Sequence, residues 1–175
     1  MIKYCFIILA VFFLSGMRTK ENPDEKSGFT ITVDGDQFSN QTFFIPPLNA
    51  NYANNYFDFK NDPRAKRTEL QGFKNDNSLQ LIIDIPIHKT SGSFTFIEDN
   101  IPTYMGFQFT YEKNSVSTTY LPCRVTVNIT RYGNVGEFIE GNFSGELRAV
   151  SGSFNDNRRI TASGTFKVKR IKDRT

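Results

Sequence analysis

The chain has no tryptophan, a single histidine (His88) and two cysteines (Cys5 and Cys123) in 175 residues. One imidazole cannot build a multi-histidine metal site, so most imidazole-based chemistry is excluded. Cys5 lies inside an N-terminal apolar run. The rest of the chain therefore keeps one thiol and no intramolecular disulfide, and its stability has to come from a packed core. Outside that run no apolar pattern of period 3.6 occurs, which points away from helical folds. Neither sign of charge dominates: 21 Lys and Arg stand against 18 Asp and Glu. So balanced a chain gives no reason to expect nucleic acid or an acidic partner.

What the chain has in excess is phenylalanine, with 18 residues, on a background of 38% hydrophobic and 22% charged content. That composition excludes intrinsic disorder, collagen-like repeats and a polytopic membrane protein. The length suits one globular domain with its own core.

Residues 1–17 read as an export signal. Lys3 precedes an unbroken apolar run from Tyr4 to Leu14, well short of the ~20 residues that a spanning helix needs. Leu14-Ser15-Gly16 has the form of a bacterial lipobox, but Met17 stands where the lipid-bearing cysteine belongs. Thioether lipidation at that position is therefore impossible. Soluble export after cleavage near Gly16, an uncleaved anchor and a replaced cysteine all remain open. Residues 18–27, with six charges and no large apolar side chain, read as a flexible tether.

From Gly28 onward the pattern is one of short strands between turns, expected as a single domain over 28–175. Phe29, Ile31 and Val33 alternate with polar neighbours, Asp34-Gly35 signals a hairpin turn, and a strand from Phe38 to Ile45 ends at Pro46-Pro47. An Asn- and aromatic-rich loop follows, then a short strand near Leu70–Phe73. Further strands are marked by Leu79/Leu81/Ile83/Ile85, by Phe94/Phe96, by Met105/Phe107/Phe109/Tyr111 and by Cys123/Val125/Val127/Ile129. The last two hold Phe143/Leu147 and Ile160/Ala162/Phe166/Val168. The expected fold is an all-β antiparallel sandwich of about 8–10 strands. Bulky inward Phe fill space, which argues against a barrel around a ligand cavity. Gly-x-Phe triplets recur at Gly92, Gly141, Gly152 and Gly164, the last three spaced by 11 and 12 residues. They read as core Phe in successive hairpin strands, with the glycines marking close backbone approach.

Several segments together carry a resemblance: the lipobox-like start, Thr32-Val33-Asp34-Gly35-Asp36-Gln37-Phe38, Ser91-Gly92-Ser93-Phe94-Thr95-Phe96, Val125–Thr130, Ile139–Leu147 and Ile160–Phe166. With them the chain resembles the small, uncharacterised all-β lipoproteins of Bacteroidetes-type cell envelopes. Phe38 stands where such proteins often carry Trp. The resemblance implies export to the periplasm or outer-membrane surface of a Gram-negative bacterium. It supplies no catalytic residues.

Candidate chemistry is sparse. His88 follows a strand end, and Cys123 shares the apolar face of its strand, a setting that disfavours the thiolate, so Cys123 reads as a small core residue rather than as the catalytic partner of His88. Asp34-Gly35-Asp36 is turn chemistry, without the ligand pattern of an EF-hand loop. Asp58, Asp62, Asp76 and Asp84 are scattered, with surface solvation as the expectation. The basic residues Arg64, Lys66 and Arg67, and Lys167, Lys169, Arg170, Lys172 and Arg174, read as solvated faces. The most suggestive segment is Asn49–Asp62, where Tyr52, Asn54, Asn55 and Tyr56 on a loop offer the mixture of rigid rings and adaptable amides found in binding surfaces.

The expectation is an exported cell-envelope binding or structural module without catalytic activity, cofactor or metal. Its partner would be an envelope protein or a glycan, with membrane association only through the N-terminal segment. Two alternatives are a hydrolase using loop carboxylates and a ligand-carrying β-barrel.

Overall fold

A computed structural model describes residues 27–54, 66–74, 78–86, 90–98, 106–150 and 157–171, with backbone alone for 49–54 and 66. The expected signal and most of the tether, with His88, Asp58, Asp62 and Asp76, lie outside the described residues. So do Met105, Asn55, Tyr56 and the Gly152 triplet.

The architecture is all-β and antiparallel, as the alternation predicts. Ten strands form in chain order: β1 (Gly28–Gly35), β2 (Phe38–Ile45), β3 (Pro47–Asn54), β4 (Lys66–Phe73), β5 (Leu79–Pro86), β6 (Gly92–Ile97), β7 (Phe107–Lys113), β8 (Val116–Tyr132), β9 (Phe138–Val150) and β10 (Arg159–Lys169). They belong to one sheet of order β2-β1-β10-β9-β8-β7-β5-β4-β3, with β6 on β8. The path begins at β2 and ends at β3, which are consecutive in the chain and separated by Pro46 alone. Phe73 N donates to the Pro46 carbonyl at 3.1 Å, so the chain passes from β1 to β4 as pairing partner at that residue. The sheet is thereby nearly barrel-shaped, and opposite parts of it face each other across the core as the layers of a sandwich do.

Contrary to the sequence expectation, Pro46-Pro47 does not end strand structure; it only breaks it. Neither proline donates to a ladder, but the chain resumes pairing at once on β4. Tyr52 and Asn54 accordingly stand on a strand and not on a loop, paired with Thr68 and Lys66. The 17-residue β8 carries β7 along its first part and β6 along its second, so β6 and β7 lie in line on the same edge. Two bulges, at Pro122/Arg124 and Ile129/Arg131, change which parity faces inward. The buried row therefore runs Thr118, Tyr120, Pro122 and then Val125, Val127, Ile129, while Cys123 is only half-buried at the first bulge.

Inside, the core is aromatic and aliphatic. Phe29, Ile31, Leu81, Ile83, Phe109, Tyr120, Ile139 and Leu147 are fully buried, and Phe38 of β2 packs on Phe109 and Tyr111 of β7 and Tyr120 of β8. The inward rows at β9 and β10 alternate large with small. One runs Ile31–Gly164–Phe143–Val127–Phe94, the next Phe29–Phe166–Gly141–Ile129–Gly92, and a third Val33–Ala162–Gly145–Val125–Phe96. A Cβ on Gly141 would fall inside the Phe166 ring's van der Waals surface, and one on Gly164 would lie 2.6 Å from Phe143 Cζ. Two of the Gly-x-Phe triplets thus interlock, each glycine making room for the other's ring. Small residues on the inner side let the sheet coil tightly there.

Candidate functional site

The alternate positions of the same strands build the outer face, and register aligns them. One row crosses six strands: Thr42, Thr32, Ser163, Ser144, Thr126 and Thr95. Every member carries a hydroxyl. The adjacent row is Phe44, Thr30, Thr165, Asn142, Asn128 and Ser93. At the spacing of neighbouring strands the stripe extends about 24 Å. It has no charged side chain. Charges begin on its two sides, where Arg159 pairs with Glu146 at 2.8 Å and Arg131 with Glu140 at 3.3 Å.

The ends of the stripe are internally hydrogen-bonded: Thr32 with Thr42 at 2.8 Å, Thr95 with Thr126 at 3.0 Å, and Ser93 donating to Asn128 at 3.2 Å. In the middle, Ser163 and Ser144 are exposed, and their hydroxyls have no hydrogen-bond partner among the described residues. An open groove of about 360 Å³ lies at this place, lined by Thr32, Asp34, Asn40, Ser144, Thr161 and Ser163 with the backbone of Gly145 and Ala162. One end is shaped by Asn40, whose φ of 46° turns β2 so that its N–H donates to Asp34 Oδ1 at 2.9 Å. Hydroxyls rotate to donate or accept, so this surface can match a ligand that presents both kinds of group.

A second polar cluster sits on the outer side of β4 and β5. Arg67 Nε lies 3.1 Å from Asp84 Oδ1, and Arg67 also pairs with Glu69 at 3.5 Å. Glu69 and Asp84 are directly opposite each other in register, and Gln71 donates to Glu69. Asp84 and Arg67 are each 7% exposed, so the expectation of solvated side chains fails for both. Asp84 is buried because its Oδ2 accepts from Gly106 N at 2.9 Å while its own N–H donates to the Gly106 carbonyl, tying β5 to the start of β7. Burial pushes its carboxyl up to about 7, against the opposing pull of Arg67. With both oxygens facing protein groups, the cluster joins three strands and presents no open carboxylate pair.

Cys123 stands among Arg159, Glu98, Glu146 and Arg148, and burial raises its thiol above the usual range. Of the sequence-derived contact residues, Tyr52 and Asn54 lie on β3, away from the groove, which belongs to β1, β2, β9 and β10. The groove's residues had a legible signal in the Thr30-x-Thr32, Asn142-x-Ser144 and Thr161-x-Ser163-x-Thr165 alternations. Their alignment depends on strand order, which no local pattern contains. Comparison with models of protein families, with curated proteins and with solved structures finds no match to this chain.

Proposed function

We propose that the protein is an exported cell-envelope binding module without catalytic activity, and that its ligand is a neutral, polyhydroxylated chain such as a glycan laid across β1, β10 and β9. The observation that carries this reading is the uncharged hydroxyl stripe whose unpaired centre coincides with the groove. Sugar hydroxyls both donate and accept, and so do Ser and Thr. The groove's volume falls in the range of small-ligand sites, roughly 300–1,000 Å³. Asp34, the one carboxylate at its edge, disfavours anionic polymers. The export reading rests on the apolar N-terminus, and the envelope setting on the family resemblance.

The test is binding of the full chain to a panel of neutral oligosaccharides, compared with a Thr32→Val/Ser163→Ala double variant. Binding that the variant loses while its thermal midpoint stays unchanged is the expected result. Failure to bind any neutral glycan, or binding indifferent to both substitutions, overturns the assignment. Release of shortened sugars from the same panel would move the protein to the hydrolase class.

A further inference from the structure

Hydroxyls both donate and accept, so the stripe by itself is indifferent to which of the two a ligand offers. Asp34 is not. An ionised carboxylate only accepts, and Asp34 is the one charged side chain among the residues that line the groove. It stands on β1 directly across from Thr161 of β10, which in turn faces Glu146 of β9. Other carboxylates at this end of the sheet are each taken by a cation: Glu146 by Arg159 at 2.8 Å, Asp36 by Arg158 at 3.2 Å and Glu98 by Arg148 at 2.5 Å. The Asp34 carboxylate has no ion pair among the described residues, and its one hydrogen bond is the 2.9 Å contact from Asn40 N to Oδ1.

Two distortions of the β1–β2 hairpin produce this arrangement. The pairing register shifts between Val33 and Gly35, on either side of Asp34, and Asn40 takes a left-handed φ of 46°. A bulge re-aims the side chain that it carries, and the Asn40 N–H then fixes one carboxylate oxygen. Oδ2 keeps no partner among the described residues, at the end of a row of neutral hydroxyls. Beside it the exposed Thr161 hydroxyl is likewise unpartnered there. Oriented but not neutralised, the carboxylate calls for donors from the ligand, and adjacent hydroxyls of one sugar ring supply them. Hydrogen bonds to an ionised acceptor are about twice as strong as neutral ones. A capped oxygen accepts but cannot donate, so it would leave the carboxylate facing a lone pair. We propose that Asp34 is the specificity-determining contact of the groove. It selects glycans whose ring at the β1–β2 end presents two adjacent free hydroxyls, and rejects rings capped there by ether or ester groups. This inference rests on the glycan reading and narrows it.

Asp34→Asn keeps an oxygen for the Asn40 N–H and places an amide donor where Oδ2 stands. The full chain and this variant are titrated with maltohexaose, cellohexaose and mannohexaose, and with mono-O-methyl derivatives of each. Wild type should lose about tenfold or more in affinity when either of two adjacent hydroxyls on one ring is methylated, as a site built around a ligand hydroxyl does when that group is gone. Asp34→Asn should bind the parent sugar about fivefold more weakly, the loss of a charge-assisted bond partly replaced by a neutral one. It should also lose the penalty at those two positions, because its amide donates to an ether oxygen, and keep its thermal midpoint. Wild-type binding that is indifferent to methylation at every position, or a variant with wild-type affinity and methylation profile, overturns the proposal and leaves the glycan reading standing. A lowered midpoint with the profile intact also overturns it and assigns Asp34 to the turn alone. Failure of every parent sugar to bind wild type overturns the glycan reading and this inference with it.

Discussion

The ring of Phe143 on β9 fills the space above Gly164 on β10: a Cβ on that glycine would come within 2.6 Å of Phe143 Cζ and closer still to the Thr30 carbonyl oxygen. Ring and glycine are paired in register, and one strand step along, Phe166 and Gly141 repeat the arrangement with strands exchanged. The pair fixes how closely β1, β10 and β9 can approach, and with that the curvature beneath the hydroxyl stripe.

Gly164→Ala therefore forces a shift of backbone as well as of a ring, and overpacking of this kind costs about 1–3 kcal/mol or more. Gly92→Ala, where nothing lies within 4 Å but φ is +77°, should cost only the backbone term of about 1–2 kcal/mol. Urea denaturation of the two variants is the measurement. Gly164→Ala should be the more destabilised of the two, and a loss no larger than that of Gly92→Ala would show that the close approach at Gly164 carries no weight.

Tyr120 donates to Asp36 Oδ2 at 2.6 Å, and Arg158 holds the same oxygen at 3.2 Å. This links the start of β8 to the β1–β2 turn. Tyr120→Phe should lower stability by about 1.5–3 kcal/mol at neutral pH, the magnitude of a hydrogen bond to a charged acceptor. Burial first, and the Asp36 carboxylate second, push the phenol up to about 12 from 10.0. The unfolded chain then ionises before the folded one. The neutral phenol's contribution is complete below pH 10 and is lost as the pH rises toward 12. Wild type should lose stability faster than Tyr120→Phe across that window in chemical denaturation.

Asp84 obeys the same sign in a different range. Its folded value of about 7 against 3.8 means that the unfolded state releases its proton first. Stability from this group is full below pH 3.8 and declines as the pH climbs to about 7. Asp84→Asn removes the titration, so the wild-type advantage over the variant should shrink between pH 4 and 7. A difference that grows over that interval would show that Arg67 dominates burial.

Cys123 is half-buried with its thiol raised, so the thiolate fraction at neutral pH is small. Alkylation by iodoacetamide at pH 7.5 should be slower than that of a free cysteine, and its rise with pH should be displaced to higher pH than that of a free cysteine. Reaction at the rate of an activated thiol would contradict the assignment.

Strand positions were largely legible because a half-buried strand writes its orientation in period two. Phe29/Ile31/Val33, Leu79/Leu81/Ile83/Ile85 and Ile160/Ala162/Phe166/Val168 show it, and β2 spans the expected Phe38–Ile45. β3 was not legible, although Leu48-Asn49-Ala50-Asn51-Tyr52 alternates, because the Pro46-Pro47 pair and three asparagines are turn chemistry in local terms. Cys123 was misplaced because a bulge shifts parity through pairing with another strand, and the sequence of β8 alone contains no trace of that partner.

The sequence by itself determined the all-β class, the inner aromatic positions and the polar character of the outer ones, since each follows from side-chain alternation along one strand. The groove and the buried Arg67–Asp84 pair were decided only in the tertiary structure. Ser144, Ser163 and Thr32 become neighbours through the register of β9, β10 and β1, a relation among distant segments that closes once Gly141 and Gly164 let those strands pack. The missing tryptophan and the lone histidine limited the chemistry from the start. Strand order then decided which of the plentiful hydroxyls stand together and unpaired.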